Sequence, residues 1–342
     1  MIMPAVNAML RGSGMAILLA AALPGGAAVY QENFVTDPSA RGWRIFGDSS
    51  LFTWNAANQN LEVTWDSSHT NSFFYLPLGT IVTKSDDFSF SFDLRLRDIR
   101  AGTTPGKTNE FEIALGLLNY SSATNSNAFR GAGVSSHYGV RNVVEFDYFQ
   151  FDRVPDIGFG DTFASVVIST NNRIYPEHNP LTMTTGDTFR ITLSYSAGDQ
   201  LLRTTATKNG SPFGAPPGNT LRDLSLAGTS DFRVDSFAVI SYSDAIQTGP
   251  PGSVLAHGSV DNVQITVPSS PVSNLRLSQS GSRWRADFLS RTNWTYVLER
   301  SEDLLSWMAA SSAVPGNGTT LSLEDPGALA SKGFYRVRAE RP

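Results

Sequence analysis

Apolar and polar residues alternate with a period of two along much of the chain. In one run Phe88, Phe90, Phe92, Leu94 and Leu96 alternate with polar residues. Because successive side chains of a strand point to opposite faces, this run predicts a strand with one face on a core and the other in water. Similar runs occupy residues 111–118, 141–151, 163–170, 189–196, 201–210, 232–243 and 260–267. Turn residues separate them, which predicts an all-β fold, an antiparallel sandwich of jelly-roll form.

A second, smaller unit is predicted at the C-terminal end. The segment "PSSPVS", residues 268–273, has two prolines and little to bury, so it is typical of a linker. Strand-like runs then recur over residues 274–342 and predict a small β-sandwich. Within it "YVLERSEDLLSW" and the closing "GFYRVR" resemble a C-terminal β module of secreted bacterial proteins. The larger domain would then cover residues 29–267.

The first 28 residues have the pattern of a signal peptide. Arg11 precedes the apolar run "MAILLAAAL", and the small residues "GGAA" follow, which predicts cleavage after Ala28. The run is short for a bilayer span, although a short membrane anchor is the alternative. No later apolar stretch reaches spanning length, so we expect a secreted or cell-surface protein without a transmembrane segment in its mature form.

The net charge and the absence of cysteine argue against several classes of function. The 342-residue chain has a net charge of −5 and a pI near 5.4, and no basic stripe, which argues against a nucleic-acid partner. It contains no cysteine, so neither disulfides nor thiolate chemistry are available. Its four histidines are scattered without the spacing of metal ligands. Packing, with a bound metal as a supplement, must therefore stabilise the exported chain.

Two carboxylates interrupt the apolar run "NVVEFDYF", residues 142–149. Glu145 and Asp147 are two positions apart, so they share one face of the predicted strand, where burial of charge is costly unless something compensates it. The run resembles the strand V-x-V-E-F-D-T of the legume-type lectins, within the concanavalin-like superfamily of jelly rolls. The later "TGDTFRITLSYSAGDQLLRTTAT" resembles a hairpin of the same family.

The resemblance implies a metal site beside a sugar site. In the family the Glu and Asp of this strand bind calcium and a transition metal, and Glu145, Asp147 and Asp156 match ligand positions. Phe151 replaces a ligand Asn and Asp161 replaces a ligand His, so oxygen donors favour calcium alone. Asp152 or Gln150 would stand in for the missing Asn. The alternative is a solvated loop whose acids cap turns.

The resemblance also implies where a glycan or polysaccharide would bind. Candidate sugar-binding residues next to the metal loops are Asn109, Gly131, Gly133, Tyr148 and Phe149. Asn109 lies near a pocket Asp of the family, and the glycines form a "GAG" loop. For the two aromatic residues, packing in the core of the sandwich is the alternative.

Hydrolysis is the competing chemistry. Glycoside hydrolases of the superfamily carry E-x-D-x-E or E-x-D-x-x-E, and here the last position holds Phe149 or Gln150. Neither side chain can serve as the acid/base that a retaining mechanism needs. We therefore expect a non-catalytic glycan-binding or cell-surface adhesion module, with a hydrolase or a purely structural extracellular protein as alternatives.

Overall fold

A computed structural model describes residues 8–9, 27–125, 142–150, 163–170, 174–214, 221–245, 252–281, 283–327 and 333–342. The strands in chain order are β1 (Ala8–Met9), β2 (Ala27–Glu32), β3 (Arg44–Phe46), β4 (Phe52–Asn55), β5 (Asn60–Asp66), β6 (Ser72–Thr83), β7 (Phe88–Ala101), β8 (Glu112–Leu118), β9 (Val143–Phe149), β10 (Phe163–Ser169), β11 (Ile174–Pro180), β12 (Phe189–Ser196), β13 (Leu201–Lys208), β14 (Ser211–Phe213), β15 (Leu224–Ser225), β16 (Arg233–Ser241), β17 (Val254–Pro268), β18 (Ser273–Ser280), β19 (Arg283–Leu289), β20 (Thr295–Ser301), β21 (Met308–Ala309), β22 (Val314–Pro315), β23 (Thr320–Asp325) and β24 (Phe334–Glu340). Short helical turns lie at Pro38–Arg41, Ser49–Leu51 and Tyr120–Ala123. In these ranges no helix is long and apolar enough to cross a bilayer.

The chain forms two compact units. The larger is Val29–Val267, and the smaller combines the described residues of Pro268–Pro342 with those that precede Val29. In the larger unit, seven of the described strands form a sheet in the order β11-β10-β9-β8-β16-β6-β3. Nine others form a second sheet around the path β14-β13-β12-β7-β17-β5-β4, with β15 on β13 and β2 on β17.

The core of the larger unit lies between its two sheets. Phe92 of β7 meets Phe146 of β9 with ring centroids 6.0 Å apart, and Phe90 meets Phe237 of β16 at 5.5 Å. All four side chains are at most 1% exposed. Neighbouring strands in these sheets pair antiparallel, as β8 does with β9 and β7 with β12. The predicted antiparallel jelly-roll sandwich is therefore confirmed.

Strand β17 changes partners along its length. Its first half, Leu255–Val260, pairs with β5, and β17 also pairs with β2. Against β7 its register shifts between Asp261 and Gln264, and Asn262 within this bulge has φ +48°. A bulge bends a strand and re-aims its side chains, so the outward surface of the sheet is uneven at this point.

The smaller unit contains two sheets of its own. One has the order β1-β24-β20-β21 with β22 on β20, and the other the order β18-β19-β23. Phe288 of β19 meets Tyr296 of β20 at 5.0 Å, and Trp284 meets Tyr335 of β24 at 5.5 Å, so the sheets pack face to face. The predicted small β-sandwich is thus present.

Candidate functional site

The acidic strand β9 presents its two carboxylates on one face. Phe146 points into the space between the sheets, because its ring meets Phe92 of the opposite sheet. Glu145 and Asp147, its neighbours on either side, therefore point to the outer face of the seven-stranded sheet. Both are 0% exposed, so this face is covered where they lie. A buried carboxylate is costly unless hydrogen bonds or a cation compensate it.

A tyrosine from a distant part of the chain contacts the first of these acids. The hydroxyl of Tyr242, which follows β16, donates a hydrogen bond of 2.8 Å to Oε2 of Glu145. Tyr242 is 1% exposed. In the sheet order β9-β8-β16, strand β8 lies between these two residues. The tyrosine side chain must therefore reach across the outer face of β8.

Small residues on β8 make room for this contact. Gly116 pairs with Glu145, and Ala114 pairs with Asp147. A Cβ on Gly116 would lie 2.3 Å from the carbonyl oxygen of Val144 and 2.5 Å from Cα of Glu145, closer than real Cβ atoms approach. The glycine is thus required by the close approach of β9. Its role was not visible in the sequence, where it is one residue of the run "FEIALGLL".

A third carboxylate shares the face. Glu112 pairs directly with Phe149 at the end of β9 and is 1% exposed. Paired residues of an antiparallel ladder project to the same side, so Glu112 and Phe149 lie on the outer face with Glu145 and Asp147. Sequence reasoning missed Glu112, because an acid at the start of a predicted strand is usually exposed.

A histidine lies in the same row of the sheet. Ser165 of β10 pairs with Asp147 on one side and with His178 of β11 on the other. Burial lowers the pKa of His178 below its usual 6.5, and the neighbouring Glu177 opposes this shift in part. The imidazole is therefore held toward its neutral form by its surroundings.

Of the predicted metal ligands, the structure brings together Glu145 and Asp147. Asp152, Asp156 and Asp161 lie outside the described residues, and the calcium site stays a prediction. Among the residues that are described, no group of three or more His, Asp or Glu side chains is arranged to hold a metal ion.

The predicted sugar-binding residues that the structure describes do not all lie on one face of the sheet. Phe149, 4% exposed, shares the outer face with Glu145. Tyr148 points the other way, into the core: its hydroxyl accepts a hydrogen bond of 3.0 Å from the backbone N–H of Met183, and burial raises its pKa. It therefore takes the packing role that was its alternative. Gly131 and Gly133 lie outside the described residues.

Asn109 lies in a loop at the end of the sheet where β9 ends, since β8 begins at Glu112 opposite Phe149. Its carbonyl accepts a hydrogen bond of 3.0 Å from the N–H of Ser253. The loop before it is held by Asp244, which is 5% exposed. This carboxylate accepts hydrogen bonds from Lys107 Nζ at 2.8 Å and from Thr104 Oγ1 at 2.8 Å.

No family model matches the sequence, and no curated protein matches it. Similar solved structures include peanut lectin with a nine-residue peptide, at 14% identity and TM-score 0.44, covering 71% of this chain and 99% of that chain. They also include a lectin from Bauhinia forficata in complex with GalNAc, at 12% identity and TM-score 0.37, covering 71% and 99%. A legume lectin-like domain from Entamoeba histolytica has 10% identity and TM-score 0.36, covering 69% and 95%. The likeness to these three structures concerns the fold alone.

Proposed function

We propose that the larger unit is a non-catalytic glycan-binding domain of an exported or cell-surface protein. The observation that carries this proposal is the placement of Glu145 and Asp147. Both are buried on the outer face of the seven-stranded sheet, and the strand that bears them leads directly into the segment with three further acids. If these two positions served packing alone, apolar side chains would fill them at a lower free-energy cost than buried carboxylates.

A calcium ion would compensate these charges. We propose that Glu145 and Asp147 bind it together with Asp156, Asp161 and Asp152. Calcium takes six to eight oxygen ligands, and carboxylates are its usual protein donors. The absence of a histidine among these five residues disfavours a transition metal. The ion would hold the loop after β9, and with it the sugar-binding residues, in one conformation.

The glycan would bind at the end of the sheet where β9 ends. Phe149 and the loop residue Asn109 both lie at this end, and Gly131 and Gly133 are proposed to complete the site. The amide of Asn109 can bond sugar hydroxyls as donor and acceptor, and Phe149, which is 4% exposed, would support the site from beneath.

Thermal unfolding with and without the ion tests the calcium site. An ion that binds the native state alone, at a hundred times its dissociation constant, stabilises the protein by about 2.7 kcal/mol. We expect millimolar calcium to raise the melting temperature relative to EDTA, and Asp147→Asn to remove the difference. Asp199→Asn, at a side chain that is 62% exposed, serves as the control and keeps it. An unchanged melting curve of the wild-type protein in calcium and in EDTA refutes the ion.

Retention on immobilised glycans tests the binding function itself. We expect retention to be stronger in calcium than in EDTA, and Asp147→Asn to remove that increase. Retention that neither treatment alters would contradict a glycan site built on this strand.

A glycoside hydrolase is the alternative that one observation favours. Glu112 supplies a carboxylate directly opposite Phe149, where the hydrolase pattern of the strand lacks its last acid. In that case reducing ends would be released from a polysaccharide, and Glu112→Gln and Glu145→Gln would each abolish the release. If neither retention nor release is detected, a structural extracellular role remains.

The exported location has its own test. We propose cleavage after Ala28, so the N-terminal residue of protein secreted from a bacterial host should be Val29. A secreted or membrane-bound product that begins at Met1 would contradict the signal peptide.

A further inference from the structure

The nine-stranded sheet has a polar cavity on its outward face. Because Phe92 points to the core, its neighbour Asp93 points outward, as does Arg190, with which Asp93 pairs. A concavity of about 500 Å³ is open to solvent here. It is lined by Gln31, Asn33, Asp93, Arg190, Asn262 and Gln264, which we call the outer-face cavity. Sites for small ligands commonly have volumes of roughly 300–1,000 Å³.

The bulge in β17 shapes this cavity. The register against β7 shifts between Asp261 and Gln264, and Asn262 is in the left-handed region with φ +48°. Such a bulge turns side chains away from the regular pleat. The bulge lies at the cavity, since Asn262 and Gln264 at the register shift are both lining residues.

One wall of the cavity has a fixed geometry. The guanidinium of Arg190 donates hydrogen bonds to Oγ of Ser91 at 2.6 Å, to the carbonyl of Asn262 at 2.6 Å and to Oδ1 of Asp93 at 3.2 Å. The side-chain amide of Asn262 donates to Oδ2 of Asp93 at 2.8 Å. These bonds hold the polar groups of the wall in place before any ligand binds, which lowers the entropy cost of binding.

Two other lining residues carry polar groups that are available to a ligand. Gln31 and Gln264 are exposed, and their side-chain amides make no hydrogen bond to any residue that the structure describes. Each amide offers two donors and an acceptor. A ligand that matches both amides carries groups that donate and accept, as vicinal hydroxyls do.

The charges around the cavity disfavour an anion. Asp93 is paired with Arg190, and the buried Glu32 below is paired with Arg41. Asp261 pairs with Asp93 across β17 and β7. Burial raises the pKa of Asp261, the backbone N–H of Asn262 opposes the shift, Asp93 and Glu32 add to it, and Arg190 opposes it. A carboxylate or sulfate group would meet this acidic surface, whereas an uncharged ligand would not.

We infer that the outer-face cavity is a second saccharide site, which binds a neutral sugar residue without a metal ion. It goes beyond the proposed function, because it lies on the opposite side of the sandwich from Glu145 and Asp147. The two sheets meet through Phe92 and Phe146, and the two sites face away from each other.

Native gel electrophoresis in the presence of EDTA tests this site. The gels would contain laminarin, galactomannan or xyloglucan as neutral polysaccharides and polygalacturonate as the anionic one. We expect at least one neutral polysaccharide to retard the full-length mature protein and polygalacturonate not to. Gln31→Ala and Gln264→Ala should each weaken the apparent affinity about three- to tenfold, and the double variant more than tenfold.

Two controls separate the possible failures. Gln279→Ala removes an exposed glutamine that does not line the cavity, and should migrate as the wild type. Asp147→Asn should keep its retardation in EDTA, which distinguishes the cavity from the acidic strand. The melting temperature of the double variant should match that of the wild type, because both amides are exposed. Equal retardation of wild type and double variant, stronger retardation by polygalacturonate, or no retardation by any neutral polysaccharide would each overturn the inference.

Discussion

The hydroxyl of Tyr242 donates a hydrogen bond of 2.8 Å to Glu145, 97 residues away in the chain, across the intervening strand β8. The contact links the residue after β16 to the acidic strand β9, and both side chains are buried. It orients the carboxylate of Glu145 on the outer face of the sheet, where the proposed ion would bind.

Tyr242→Phe is expected to destabilise the protein by about 1.5–3 kcal/mol. The change removes a hydroxyl that bonds a buried carboxylate, and hydrogen bonds to charged groups fall in this range. Denaturant unfolding measures the loss. Tyr195→Phe is the control, since its hydroxyl donates to the backbone carbonyl of Lys84 at 3.0 Å and should cost about 0.5–1.5 kcal/mol. Equal losses in the two variants would contradict a special role for the contact with Glu145.

Gly116→Ala is expected to destabilise by about 1–3 kcal/mol, in the range of overpacked cores. The added Cβ would lie 2.3 Å from the carbonyl oxygen of Val144 and 2.5 Å from Cα of Glu145, so β9 must shift. Gly198→Ala is the matched control, because its Cβ would meet only the hydroxyl of Ser196 at 3.9 Å. The urea midpoints of the two variants measure the difference in stability. A Gly116→Ala variant as stable as Gly198→Ala would disprove the close approach of β9.

Asp244→Asn is expected to destabilise by about 2–3 kcal/mol. The change removes the charge partner of Lys107, whose Nζ lies 2.8 Å from the Asp244 carboxylate. The expected loss is smaller than for a fully buried ion pair, because the Lys107 side chain is 25% exposed. The loop that precedes Asn109 should become more open to hydrogen exchange. Unchanged exchange at residues 102–109 would show that Asp244 does not hold this loop.

Acidification is expected to reduce stability through His178. Burial lowers its folded-state pKa below 6.5, so between that pKa and 6.5 the unfolded chain binds more protons than the folded one. Stability from this group is therefore complete above pH 6.5 and is lost as the pH falls through 6.5 toward the folded pKa. Urea midpoints at pH 7.5 and 5.0 should differ more in the wild type than in His178→Gln. Identical pH dependence in both would contradict the direction of the shift.

Strands could be predicted from the sequence where apolar and polar residues alternate strictly. The run at Phe88–Leu96 lies within β7, and the predicted run at residues 189–196 is β12. The start of β17 was missed: the prediction began at residue 260, whereas the strand begins at Val254. Its buried positions there include Ala256 and Gly258, which are too small to give a hydrophobic signal.

The candidate site could be predicted only in part. Two acids two positions apart in a strand must share a face, and Glu145 and Asp147 do. Glu112 and Tyr242 join them through strand pairings and contacts between distant segments, which one sequence does not reveal. The outer-face cavity was missed for the same kind of reason, because it depends on a shift of register within β17 rather than on a motif.

The alternation of Glu145, Phe146 and Asp147 also bears on how the chain reaches its native pairing. If β9 slipped by one residue against β8, the phenyl ring would move to the outer face and both acids would enter the space between the sheets. A mispaired sheet would then bury two charges among phenylalanine rings, an arrangement of very high free energy. The two acids thus disfavour this slipped register relative to the native one, whatever they bind afterwards.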